Sequence, residues 1–198
     1  NTSAILKFAP LSLMDPYGEN IHFGAEFISD RPLSVETDLA FYIRTYDMNF
    51  ETPRIKDRKG FKIKPEIRYY LNSEKKGKTI YSGLYIADEL YFISDRFKRG
   101  DTFAHYDFEQ DTSYTYFAYE KIRRLEIGNN IKIGYQAVTK IKLTFDFFFG
   151  LGLKYHHGTY DYDVTDPPCC PVMRIFEVPV MKGLKPGVTF GIKIGYAL

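Results

Sequence analysis

The chain has 198 residues, 26% of them charged, a formal net charge of +2 at pH 7, and 17 Tyr and 17 Phe with no Trp. No Pro/Ser-rich linker interrupts it, so a single domain spanning 1–198 is expected. Near-neutral, scattered charge argues against nucleic acid as a partner. The longest apolar stretch, "LTFDFFFGLGL", is broken by Asp146, which excludes a transmembrane helix. The opening "NTSAILKFAP" has neither the basic start nor the apolar core of a signal peptide, so numbering from a cleavage point is expected. It does not begin with Cys, and no lipid-anchored N-terminus is indicated.

Period-two alternation, the signature of a strand with two different faces, recurs along the whole chain. The first stretch, 4–13, is the least regular and carries Pro10, which a central ladder position does not welcome. "NIHFGAEFI" follows with Ile21, Phe23, Ala25 and Phe27 on one face, and "DRP" turns the chain. Stretch 33–43 sets Leu33, Val35, Leu39, Phe41 and Ile43 against Ser34, Glu36, Asp38, Ala40 and Tyr42. Stretch 61–71 sets Phe61, Ile63, Pro65, Ile67, Tyr69 and Leu71 against Lys62, Lys64, Glu66, Arg68 and Tyr70.

In stretch 79–92, Leu84, Ile86, Leu90 and Phe92 share a face with Asp88; a bulge there, or a place above the apolar band, is expected to reconcile it. Stretch 123–136 opposes Leu125, Ile127, Ile131, Ile133 and Tyr135 to Glu126, Gly128, Asn130, Lys132 and Gly134. The strongest element, 141–155, opposes Ile141, Leu143, Phe145, Phe147, Phe149, Leu151, Leu153 and Tyr155 to Lys142, Thr144, Asp146, Gly150, Gly152 and Lys154. The eighth is "VTFGIKIGYAL", alternating to the final residue of the sequence.

A soluble lipocalin-like calyx would turn the apolar faces inward around a small ligand. Two features favour the reverse. The faces opposite the apolar residues are rich in Gly, which costs stability in a strand unless space is short. They also mix charges of both signs: Glu26, Glu36, Asp38, Lys62, Lys64, Glu66, Arg68, Glu126, Lys132, Lys142, Asp146 and Lys193 form the expected charge network of a narrow lumen, and Lys7 falls on the same face. The apolar faces then meet lipid, and the strands must close because an unpaired edge does not survive in hydrocarbon. With both ends periplasmic, the connections 44–60, 93–122 and 156–184 fall outside and are long, while "SDRP", "NSEKKGK" and "AVTK" are the periplasmic turns. The expected fold is an all-β, eight-stranded antiparallel up-and-down transmembrane β-barrel with long extracellular loops, in a bacterial outer membrane and in contact with its lipid.

The terminal "FGIKIGYAL" looks like the C-terminal assembly signal of outer-membrane barrels, although those usually end in Phe and this sequence ends Tyr196-Ala197-Leu198. The whole chain resembles the small OmpA/OmpX-like barrels. More narrowly, "LKFAPLSLMDPYGENIHFGAEFISDRPLSVETDLAFYI", with Glu26 late in the second strand, and "KPEIRYYL" resemble the Bacteroidetes-type outer-membrane barrel family of unknown function. That resemblance implies fold and location and says little of activity.

Candidate chemistry is sparse. A water path through the lumen competes with mutual pairing of its charges, which eight strands leave room for. "DPPCCPVM" holds Cys169 and Cys170, whose alternatives are a strained vicinal disulfide, two thiols, or pairing with another chain. His156 and His157 point to opposite faces if they lie in a strand. Neither they nor Asp161, Asp163 and Asp166 match a zinc or EF-hand spacing, so no metal and no cofactor is expected. A lipid-modifying enzyme would need a Ser or His with a carboxylate at one rim: His105 with Asp107, Glu109 and Asp111 is the candidate, with His156 and Ser113 converging on it. No nucleophile motif supports this, and no enzyme activity is expected.

"FAHYDFEQDTSYTYFAYEKI" is itself strand-like, and a hairpin extending the wall is expected there. Its Tyr106, Phe108, Tyr114, Tyr116, Phe117 and Tyr119 form either a local core or the contact surface for another envelope protein. The function expected is that of a structural or accessory subunit engaging that protein through its loops; the alternatives are the lipid-modifying enzyme and the ligand-binding calyx.

Overall fold

The computed structural model describes residues 3–14, 20–29, 32–43, 54–71, 74–75, 81–107, 112–162 and 182–198. In chain order these form β1 (Ser3–Phe8), a 3-10 turn (Pro10–Met14), β2 (Asn20–Ile28), β3 (Leu33–Tyr42), β4 (Arg54–Tyr70), the two-residue β5 (Glu74–Lys75), β6 (Tyr81–Asp107), β7 (Thr112–Val138), β8 (Leu143–Tyr162) and β9 (Gly183–Ala197). The fold is all-β. Every ladder is antiparallel, and sequence neighbours among the eight long strands lie side by side in one up-and-down sheet.

The end strands also pair: β1 meets β9 through Ile5↔Ala197 to Phe8↔Ile194. With β4 paired to β6, each long strand has a partner on both edges and the ladders run in a closed cycle. Such closure removes the row of unpaired N–H and C=O groups that an edge strand exposes. Leu198, the last residue, donates its N–H to the Ala4 carbonyl at 2.9 Å and so extends this closing ladder.

The strands carry their apolar side chains on the exposed face and their charged ones on the buried face. Phe190 is 76% exposed and Phe23, Ile131 and Leu151 are exposed by more than half, whereas Glu26, Glu36, Arg68 and Asp146 are fully buried. The glycines of the inner face sit where space is short: a Cβ on Gly134 would lie 2.4 Å from the Tyr85 ring, and one on Gly128 would lie 2.4 Å from Tyr91.

Three local expectations are corrected. The first stretch is a strand only to Phe8: Pro10 has no N–H to give a ladder, and the chain turns instead, with Ser12 Oγ donating to the Ala9 and Asn20 carbonyls at 2.7 and 2.8 Å. Lys142 is exposed at φ 65° in the turn before β8, not in the interior. The alternation of 141–155 runs on into a turn, where the Lys142 N–H donates to the Thr139 carbonyl at 3.1 Å. Asp88 is neither bulged nor displaced from the apolar face; it stands between exposed Ile86 and Leu90 and accepts a hydrogen bond from Asn129 at 2.5 Å.

The strands also outrun the stretches of alternation. β6 and β7 pair without interruption from Gly83↔Gln136 to Asp107↔Thr112, so the expected hairpin is present and its arms continue the wall. β4 reaches back to Arg54 through a register shift between Lys56 and Lys59, with Asp57 at φ 54°.

Candidate functional site

The interior is built in tiers by inward residues of neighbouring strands. Toward one end lies an apolar cluster of Ile5, Ile28, Tyr70, Tyr85, Ala87 and Ala197. The two tyrosines turn their hydroxyls toward the charges beyond: Tyr70 donates to Glu26 Oε1 at 2.7 Å and Tyr85 to Asp146 Oδ1 at 2.6 Å.

Above this cluster lies a continuous ion network. Lys7 Nζ meets Glu26 at 2.7 Å, Glu36 at 2.8 Å and Asp146 at 3.0 Å, and donates to Gln136 Oε1 at 2.7 Å. The Arg68 guanidinium reaches Glu66 at 2.5 Å, Asp146 at 2.7 Å and Glu36 at 2.9 Å. Lys132 bridges Glu66, at 2.7 Å, and Glu89. Lys193 bridges Glu36 and Asp38, the latter at 2.5 Å. Phe148 packs between these two ammonium groups, its ring centre 4.5 Å from Lys132 Nζ and 5.3 Å from Lys193 Nζ. Buried charges are stable only when paired and hydrogen-bonded, which explains why both signs recur along one face.

Toward the other end, His22 faces Asp38 at 3.2 Å, and His156 and Lys154 face Glu126 at 2.8 and 3.6 Å. Next, Arg58 and Arg124 grip Asp95 from two sides, each with a contact of 2.6 Å to Oδ2. Arg58 also stacks on the Tyr42 ring at 4.0 Å. Arg99 and Glu120 pair beyond them.

Of the residues expected in the network, Glu26, Glu36, Asp38, Glu66, Arg68, Glu126, Lys132, Asp146 and Lys193 are buried in the interior. Lys62 and Lys64 share their strand face, Lys62 lying 5.0 Å from the Tyr42 ring centre, and Lys142 does not belong. Lys7 joins the network from the face its alternation gives it. Glu89 and Asp95 are members that the sequence pattern does not single out, although their period-two spacing from Tyr85, Ala87 and Tyr91 marks them.

The postulated convergence of His105, Ser113 and His156 does not occur. His105 and Ser113 lie near the tip of the β6–β7 hairpin, whereas His156 pairs with Glu126, opposite Ile93. That offset along β6 amounts to roughly 40 Å. His156 faces the interior and His157 the outer groove between β4, β6, β7 and β8. Among the described residues, no group of His, Cys, Asp and Glu could hold a metal ion.

Tyr106, Tyr114, Tyr116, Phe117 and Tyr119 sit on the hairpin arms, Tyr106 opposite Ser113 and Tyr116 opposite Phe103. Lys56 Nζ lies 5.2 Å from the centre of the Tyr119 ring. Phe108, Glu109, Asp111, Asp163, Asp166, Cys169 and Cys170 fall outside the described residues.

No family model matches the chain. Nor does any curated protein or solved structure. Any reading of its role therefore rests on this arrangement: a closed cycle of strands, apolar outside, an interior filled by paired charges, and a two-stranded arm rising from one rim.

Proposed function

We propose that the protein is a transmembrane β-barrel of a bacterial outer membrane that acts as a structural or accessory subunit, its filled interior a rigid support and its hairpin the contact for another envelope protein. The observation that carries this reading is the inversion of the sheet. The exposed band of Phe23, Phe41, Ile67, Leu90, Ile131, Leu151 and Phe190 would be costly in water, and the buried Lys7–Glu36–Arg68–Asp146 network would gain nothing over an apolar core in a soluble calyx. In lipid both make sense: the band meets hydrocarbon, and the closed ladder satisfies every strand edge. The resemblance to OmpA/OmpX-like barrels points the same way.

A subunit role is favoured over transport or catalysis by the same interior. The apolar cluster and the bridged side chains above it occupy the space that a conducting path or substrate would need. Contact with a partner is assigned to the hairpin because β6 and β7 stay paired beyond Gly100 and Glu120, where their ladders with β4 and β8 end, as a lone two-stranded arm of about seven residues, roughly 23 Å. The test is isolation of the tagged protein from native membranes in mild detergent, followed by mass measurement of the intact assembly. A defined complex that is lost when the hairpin is cut back between Arg99 and Glu120 is expected. A lone barrel at stoichiometric purity, or a complex indifferent to the hairpin, would overturn the subunit role.

A further inference from the structure

Just past the apolar band, three cations stand side by side on the outer wall. Lys59 on β4 is registered opposite Arg96 on β6, which is registered opposite Arg123 on β7. All three are exposed. Like charges directly opposite one another in a sheet repel, and the arrangement persists at a cost unless something neutralises it. Among the described residues no carboxylate pairs with any of the three, although the interior cations Lys7, Arg68, Lys132 and Lys193 each bridge two or more.

The row borders a groove of about 560 Å³ whose next level down presents exposed Phe61 and Leu125, with Ser94 and His157 between and beside them. A cationic ledge directly above an apolar floor is shaped for an amphiphile rather than for a free anion. Two guanidiniums offer paired N–H donors that match phosphate oxygens, and the lysine adds a third positive charge.

We infer that Lys59, Arg96 and Arg123 bind the phosphate of a lipid headgroup, with the lipid's chains lying against Phe61 and Leu125. The inference rests on the membrane reading above and deepens it, because it fixes the height of the headgroup layer on the wall. Phosphate at this rim also removes the repulsion within the row.

The test uses the folded protein in detergent, with phosphatidic acid as the phosphomonoester probe, phosphatidylcholine as the zwitterionic control, and retained lipid counted by native mass spectrometry. Preferential retention of phosphatidic acid is expected, falling about tenfold in the triple variant Lys59→Gln, Arg96→Gln, Arg123→Gln. The variant Lys140→Gln, Lys142→Gln, which removes charge at the opposite rim, should keep the preference. If the triple variant does not fold, Arg96→Gln alone, read with and without raised salt, carries the same comparison. Equal retention of the two lipids by a folded, heat-modifiable barrel would overturn the inference and leave the membrane reading intact. Failure to enter detergent or lipid at all would overturn both. Displacement of the lipid by millimolar inorganic phosphate would identify an anion site without lipid and also count against it.

Discussion

Asn129 donates its side-chain amide to the Asp88 carboxylate at 2.5 Å across β6 and β7, on the outer face, among the exposed side chains of Ile86, Leu90, Ile127 and Ile131. On the membrane reading proposed above, a carboxylate on this face would be destabilising, less so than a Lys or Arg, and the amide would offset part of that cost. Replacing both, Asp88→Leu with Asn129→Leu, should stabilise the protein in vesicles by about 1 kcal/mol. Reversible urea unfolding from lipid measures it. A loss of stability would mean that the pair meets water or another polar surface.

Lys7 is the junction of the interior network. Lys7→Met leaves Glu26, Glu36 and Asp146 without their shared ammonium, and a cost of about 3–5 kcal/mol is expected for an uncompensated buried charge. Adding Asp146→Asn should restore part of the loss, since the two residues share one contact network and their effects do not add. A double-mutant cycle in urea reads the coupling.

Gly134 and Gly187 both lie on the inner face, yet they should respond differently to a methyl group. On Gly134 a Cβ would meet the Tyr85 ring at 2.4 Å and the Phe147 carbonyl at 2.7 Å, whereas on Gly187 the nearest atom is 3.7 Å away. Gly134→Ala is expected to cost about 1–3 kcal/mol, and Gly187→Ala close to nothing. Comparison of the two unfolding midpoints decides whether inner space is the constraint.

Asp95 lies beyond the apolar band, at the base of the hairpin. Burial would raise its carboxyl, but the hydrogen bond and charge of Arg124, then those of Arg58, hold it below the usual carboxylate range. A depressed folded value stabilises the folded form fully above about pH 3.9, the ordinary value of an aspartate, and the contribution disappears as pH falls through the folded value. Amide exchange in the arms beyond Asp95 should therefore rise below about pH 4. Asp95→Asn should raise exchange at neutral pH and remove that step.

The sorting of faces is legible in the sequence because period two is a strong signal wherever one face is apolar and the other is not. Alternation alone places Glu26, Glu36, Lys132, Asp146 and Lys193 inside. It loses Glu89 because Asp88 puts charge on both faces of the same stretch. It misses the lower part of the upper wall for a related reason: past Ser94 the outer face turns to Arg96 and Lys98, so the paired segment between the apolar stretch and the expected hairpin reads like a polar loop. Lys142 fails in the other direction. Ile141 and Leu143 continue the alternation through a turn whose residue at φ 65° shows only in the backbone. The three-cation row is invisible in the sequence because Lys59, Arg96 and Arg123 are far apart along the chain, and only the register sets them side by side.

The central claim is that the exposed apolar face meets hydrocarbon. The chain has no Trp, so a single introduced indole reports its own surroundings without background. Leu151→Trp, at a site 57% exposed in the middle of the outer band of β8, can be read in vesicles containing lipids brominated near the bilayer centre. Strong quenching by those lipids with little quenching by aqueous acrylamide is the predicted result, and Arg123→Trp should respond instead to lipids brominated near the headgroup. Quenching of the Leu151→Trp indole by acrylamide and not by the brominated lipids would contradict the account.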